Sequence, residues 1–248
     1  EPSGIQVVIP VMTSSAPLIE LRSLVRSGSL GGVVLMDVAQ GDEREAMLLD
    51  EEIPTVLIGS SGRAVGAPGV DTDFVQMAHA SVEHLAGLGH RRIIALMRET
   101  AYDDAHARQD QAHELLRAAG DLGVDVLVRQ VPELALACGD IVGADGLVEG
   151  CSAVISNNPA AVVGLACAAQ AHGLSIPADL SVLTLGVTEC RGRQRESFSE
   201  LSVDREAMGA AAGSLLLARL RGKPDPVERR TLMPAFLRDR GSTARFRS

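Results

Sequence analysis

The chain has 248 residues, enough to bury a large core as one domain or as two coupled lobes. Its 46% hydrophobic and 22% charged residues describe a soluble globular protein, and with 2% aromatics and no Trp the core must be aliphatic. A net charge of −9 without a basic stripe argues against this chain gripping nucleic acid by itself. No apolar run is long enough to span a bilayer.

In chain order, IQVVIP (5–10), GGVVLM (31–36) and TVLIG (55–59) are continuous apolar runs. Parallel strands covered on both faces have this pattern. Helical patterning lies between them, at 16–27 and 42–50. Asp73 can cap a helix over 74–87 that ends near Gly89, and RIIALM (92–97) is the next strand.

The rhythm repeats further on. A helix over 103–119 stops at Gly120, VDVLV (124–128) is a strand, and a Gly-interrupted helix covers 132–149. Residues 151–186, CSAVISNNPAAVVGLACAAQAHGLSIPADLSVLTLG, form a strand, a helix and a strand. Asn158 suits the N-cap, Pro159 the first helical position and Gly173 the C′ position. The polar turn at 157–159 sits at the carboxyl end of a strand, where open α/β sheets bind ligands.

Asp204 caps an Ala/Leu-rich helix over 205–221, closed by Gly222. TLMPAFL (231–237) is a last extended stretch, and its Pro places it at a sheet edge. The alternation predicts α/β architecture with doubly wound parallel sheets, two of them at this length, with a cleft between.

Catalytic and metal signals are missing. Cys138, Cys151, Cys167 and Cys190 fit neither a zinc spacing nor a CxxC pair, and are expected as reduced thiols of a cytoplasmic protein. The histidines form no HExxH, and there is no GxSxG elbow or Gly-rich phosphate loop. No cofactor and no metal are expected. An enzyme on a similar sheet is the weaker reading on these grounds.

Three segments together resemble the effector-binding core of the lactose/galactose repressor (LacI/GalR) family. They are VDTDFVQMAHASVEHLAGLGHRRIIALM (70–97), the 151–186 stretch, and LSVDREAMGAAAGSLLLARLRGK (201–223) followed by RDRGST (238–243). Their order and spacing cover nearly the whole chain. The resemblance implies a periplasmic-binding-protein-like fold with a ligand cleft and three crossovers, near 98, near 203 and near 224–230. One lobe would hold 1–98 plus 204–224, the other 99–203 plus 225–248.

By the same resemblance, the protein is expected to be the effector-sensing part of a bacterial repressor. It would bind a sugar or other polar metabolite and work as a homodimer. Operator DNA would be reached through an N-terminal headpiece that this chain lacks, and no membrane is involved. The first strand, IQVVIP, looks like the family's second, so residues upstream of Glu1 are expected to supply another. A periplasmic sugar-binding protein of a transport system is the alternative.

The resemblance also suggests ligand-binding residues. Arg108 would face the cleft from the start of a helix; the competing reading is a solvated Arg paired to Asp104 or Asp110. Asn158 matches a ligand-contacting Asn, yet Asn before Pro is a helix cap in its own right. Gly186 stands where the family commonly has an Asp that accepts from sugar hydroxyls, and Pro159 stands where an Asp is usual. Gln76 and Arg205 match cleft-edge positions, against readings as surface charge or polarity. Asp37 follows a strand at its carboxyl end, and Tyr102, the single Tyr, could stack on a ligand.

Overall fold

A computed structural model describes residues 6–9, 17–99, 106–132, 151–186 and 198–246. Four strands, β1 (Val33–Leu35), β2 (Thr55–Ile58), β3 (Gly69–Thr72) and β9 (Arg230–Met233), form one sheet in the order β1-β2-β3-β9, all parallel. Six others form a second sheet. They are β4 (Arg92–Arg98), β5 (Asp125–Val131), β6 (Ala153–Ser156), β7 (Ser181–Leu185), β8 (Ser199–Val203) and β10 (Ala235–Arg238), in the order β10-β8-β7-β6-β4-β5. Its pairs are parallel except β10 with β8.

The central strands of the larger sheet are short and covered on both faces. Every residue of β6, β7 and β8 is buried. Helices α3 (Phe74–Gly87) and α4 (His106–Leu122) pack on each other beside the larger sheet, and α5 (Pro159–Ala171) covers its other face. Helix α6 (Arg205–Leu220) lies against β1, β2 and β3, while α1 (Pro17–Arg26) and α2 (Glu43–Asp50) close a smaller core with Leu48 and Leu57. The largest core runs from Val56 and Val70 through Met208, Val203 and Ala235 to Ile93 and Ile155, joining the two sheets.

The starts of α3, α6 and α5 are among those fixed by side-chain caps. Asp73 accepts from the Gln76 N–H, Asp204 from the Ala207 N–H, and Asn158 from the Ala160 and Ala161 N–H groups. The predicted helices at 74–87 and 205–221 are observed at Phe74–Gly87 and Arg205–Leu220. The helix expected over 132–149 falls almost entirely outside the described residues.

Strand pairing moves two of the three crossovers. β4 pairs with β5 and β6, so residues 92–98 belong to the six-stranded sheet and the chain leaves the smaller lobe at Asp73, not near 98. β9 pairs with β3, so the last crossing lies at Pro234, not near 224–230. The remaining crossing is at Asp204, between β8 and α6. All three leave from carboxyl ends of strands, so those ends of the two sheets face each other.

IQVVIP is the clearest correction among the strands. Among the described residues nothing pairs with 6–9, and Val7, Val8 and Ile9 are 85%, 68% and 86% exposed. Among the described residues the four-stranded sheet ends at β1, whose Val33–Leu35 pair on one side only, with β2. An apolar run is a strand only where a ladder partner stands beside it.

The C-terminal segment is stitched back onto the larger lobe. His90 Nε2 lies 3.0 Å from the Ala244 carbonyl and Nδ1 2.7 Å from Ser152 Oγ, so the neutral tautomer with a proton on Nε2 satisfies both. His84 meets Thr243 at 3.0 Å, and the Phe246 N–H donates to the Leu88 carbonyl. Burial pushes both histidines below their ordinary pKa; the Ala244 carbonyl opposes this at His90, and Asp239 opposes it at His84.

The unfolded chain then binds these protons more tightly than the folded one. This part of the stability is complete above the ordinary histidine value of 6.5 and is lost as pH falls below it. The urea midpoint is therefore expected to drop between pH 7.5 and pH 5.5, and to drop less in His90→Gln. An equal drop in both would remove His90 from the account.

Candidate functional site

The facing strand ends gather several of the residues singled out in the sequence. Asn157 and Asn158 follow β6, Gly186 follows β7, Arg205 follows the Asp204 crossing, and Gln76 lies in the first turn of α3. Asp37 follows β1 across the cleft. Arg108 is in the first turn of α4, but its side chain, like all of Tyr102, lies outside the described residues.

Asn158 is fully buried and its amide is fully engaged. Its Oδ1 accepts from Ala160 and Ala161 at 3.0 and 3.2 Å, and its Nδ2 donates to the Val131 and Pro132 carbonyls at 3.1 and 3.2 Å. A primary amide offers two donors and one acceptor oxygen, so nothing is left over to direct a ligand.

Gln76 is similarly occupied. Its Oε1 accepts from the Ala235 N–H at 2.8 Å and its Nε2 donates to the Ala235 carbonyl at 3.1 Å. This mimics a strand ladder and ties α3 to the first residue of β10. Both side chains build the cleft wall.

Asn157, which sequence reasoning passed over, pins two elements. Its Oδ1 accepts from the Arg98 N–H and its Nδ2 donates to Gln111 Oε1, each at 2.7 Å. Gln111 lies one turn beyond Arg108, so this bond fixes the helix that carries Arg108 against the ends of β4 and β6. The signal was present as a doubled Asn after a strand, but only one of the two could be read as a cap.

Gly186 has φ +67°, and no described heavy atom lies within 4 Å of where a Cβ would stand. Its N–H donates to the Leu201 carbonyl at 2.8 Å, and its own carbonyl accepts from Arg205 Nη2 at 2.5 Å. Arg205 thus reaches from the helix of the smaller lobe to a strand end of the larger one.

On the smaller lobe, Asp37 is exposed at φ +51°, and its carbonyl accepts from Arg44 Nη2 at 2.9 Å. Arg44 also contacts the buried Asp42 at 2.6 Å. Burial pushes the Asp42 carboxyl up, but the Arg44 side chain and the N–H groups of Ala39 and Arg44 outweigh it and hold it below the usual carboxylate value. The 36–42 loop is therefore locked.

A second loop is fastened to the first: Gly41 donates to the Ser61 carbonyl, and Arg63 donates to the Gly41 carbonyl. Beneath these loops Glu45 is completely buried, accepting from the Ala67 N–H at 2.8 Å with Arg63 Nε 3.3 Å from its other oxygen. It lines a cavity of about 100 Å³ with Ser60, Ser61, Arg229 and Arg230. A cavity of this size holds a few waters.

Among the described residues, no cluster of three or more His, Cys, Asp or Glu could hold a metal, and no helix is long and apolar enough to cross a membrane. Among the described residues the facing strand ends present polar groups held in place by hydrogen bonds, with the Arg205 guanidinium reaching between the lobes.

Two parallel α/β lobes joined by three crossings, with the strand ends facing, define a two-lobed binding fold. The chain belongs to the periplasmic binding protein-like domain family, which it matches over residues 82–243. Its likeness to the effector-binding core of LacI/GalR regulators extends over nearly the whole chain.

An uncharacterized HTH-type transcriptional regulator in the aml 5′ region of Streptomyces limosus is 25% identical over 236 residues, covering 92% of this chain and 66% of that protein. The HTH-type transcriptional regulator MalR of Streptomyces coelicolor is 24% identical, covering 91% of this chain and 67% of that protein. A LacI family transcriptional regulator from Enterococcus faecium with bound ribose superposes with a TM-score of 0.78 at 18% identity, over 97% of this chain and 88% of the other. The chain spans about two thirds of the length of the curated relatives it matches.

Proposed function

We propose that this chain is the effector-sensing core of a bacterial LacI-type transcriptional repressor. A small polar molecule binds between the lobes, changes their closure, and alters the operator affinity of a DNA-binding domain carried by the full-length protein. The observation that carries this reading is the set of three single-strand crossings at Asp73, Asp204 and Pro234, which sets the strand ends of both sheets around one cleft. Lobe closure around a ligand is the switching motion such a hinge allows.

The protein acts in the cytoplasm as a homodimer, with Arg108 and Arg205 as ligand-binding residues. It carries out no chemistry on the effector, in keeping with the lack of a nucleophile or base constellation in its sequence. The names of its relatives favour a regulator over a transport protein.

The test is a gel-shift assay with the full-length protein and the DNA upstream of its own gene, with and without a molecule that raises the melting temperature of this core. Binding to a discrete site that changes at least tenfold with that molecule is expected. A full-length protein that ignores DNA in both states would sink the reading.

A further inference from the structure

We propose that the effector carries an anionic group, a carboxylate or a phosphate, and that Arg205 is the residue that reads it; this rests on the inter-lobe cleft being the effector site. Among the described cleft residues, the Asn158 amide is spent on backbone groups, and the Gln76 amide is held by the N–H and carbonyl of Ala235. Gly186 offers no side chain, and the space beside it is open to described atoms. Among the described residues, the charged group with unused hydrogen-bonding capacity next to that space is the Arg205 guanidinium.

Arg205 is exposed, and its contact among the described residues is one N–H on the Gly186 carbonyl at 2.5 Å. A guanidinium has five N–H donors in a planar fork, so four remain. No described carboxylate pairs with it, in contrast to Arg44, Arg219, Arg229 and Arg230, which each have an acid within 3.5 Å. Among the described residues the side chain is therefore anchored but carries no acidic partner.

Ligand chemistry follows from this. At the Gly186 position a carboxylate would accept from ligand hydroxyls; here the wall presents a cation that can only donate. A neutral polyol would leave that charge uncompensated when the cleft closes. A carboxylate or phosphate would take two parallel charge-assisted bonds from the fork. The amino-terminal end of α6, a helix of 16 residues, adds positive potential at the same place.

The experiment is a thermal-shift and calorimetric titration of this chain with matched pairs: ribose and ribose 5-phosphate, glucose with glucose 6-phosphate and glucuronate. Inorganic phosphate and acetate serve as free-ion arms. One anionic sugar is expected to bind at least 10-fold tighter than its neutral parent, and the free ions are expected to bind far more weakly than it. Arg205→Ala should weaken it about 100-fold and Arg205→Lys less, as for loss of one partner of a charged hydrogen-bonded pair. Because Arg205 is exposed, the unliganded melting temperature should stay near that of the wild type.

A neutral sugar bound equally well by wild type and Arg205→Ala would overturn the assignment and leave the cleft as effector site intact. Binding of an anionic sugar that survives Arg205→Ala would do the same. Silence of wild type toward every neutral and anionic probe would count against the cleft itself, and so against both readings.

Discussion

Asn158→Ala is expected to lower the stability of the chain by about 3 kcal/mol, combining a lost helix cap with two buried carbonyls left without donors. For a protein of this size that is a fall in melting temperature of roughly 6–12 °C. The cost arises because Asn158 is fully buried and bonds to four backbone groups at once, two at the start of α5 and two at the end of β5.

Asn158→Ser separates the parts. A hydroxyl can still cap α5 but cannot reach the Val131 and Pro132 carbonyls, so it should recover about 1 kcal/mol. If Asn158→Ala melts within a degree or two of wild type and instead abolishes effector binding, Asn158 is a ligand contact and the wall assignment falls.

The second large effect is expected at Gly69. A Cβ there would lie 2.9 Å from both Leu57 Cβ and the Leu57 carbonyl oxygen, which are held in the adjacent strand. Gly69→Ala must push β3 away from β2, at about 2–3 kcal/mol, the usual range for overpacking.

Gly213 supplies the control. It lies within α6 with no atom of another described element within 4 Å of its missing Cβ, so Gly213→Ala should raise stability by about 0.5–1 kcal/mol. Chemical denaturation of both variants reads the sign directly. A neutral Gly69→Ala would mean the four-stranded sheet tolerates a looser β2–β3 pairing than its geometry implies.

The local grammar of the chain was legible in its sequence. Asp73, Asn158 and Asp204 cap helices where their residue type and position require it. The apolar runs at 31–36, 55–59 and 92–97 contain the strands β1, β2 and β4, whose residues are mostly buried or half-buried. Which sheet a strand joins was not legible, since RIIALM reads the same in either lobe and only its partners, β5 and β6, decide it. GVDT (69–72) escaped notice because it is four residues long with a Gly and an Asp, and becomes a strand by lying between β2 and β9.

The site was legible in place but not in role. Strand ends and loop positions pointed to residues that the structure gathers at the facing strand ends, Asn158, Gly186, Arg205 and Gln76 among them. Whether an amide there faces a ligand or a backbone group depends on what lies across from it, which for Gln76 is a residue 159 positions away. The unused capacity of Arg205 is likewise a fact about surroundings.

The TLMPAFL stretch, expected as one extended segment at a sheet edge, is two strands in two sheets. Met233 pairs with Thr72 in the smaller sheet and Ala235 with Val203 in the larger, with Pro234 alone between them. Proline has no N–H to leave unpaired where a strand quits its ladder, and its ring fixes φ. The Asp73 N–H donates to the Met233 carbonyl while Gln76 grips Ala235, so two of the three crossings are laced into one short, stiff axle. A tether that cannot lengthen forbids the lobes from sliding apart and leaves rotation about it. The Arg205–Gly186 bridge belongs to the third crossing, outside that lacing, and there a small turn about the axle becomes a change in distance.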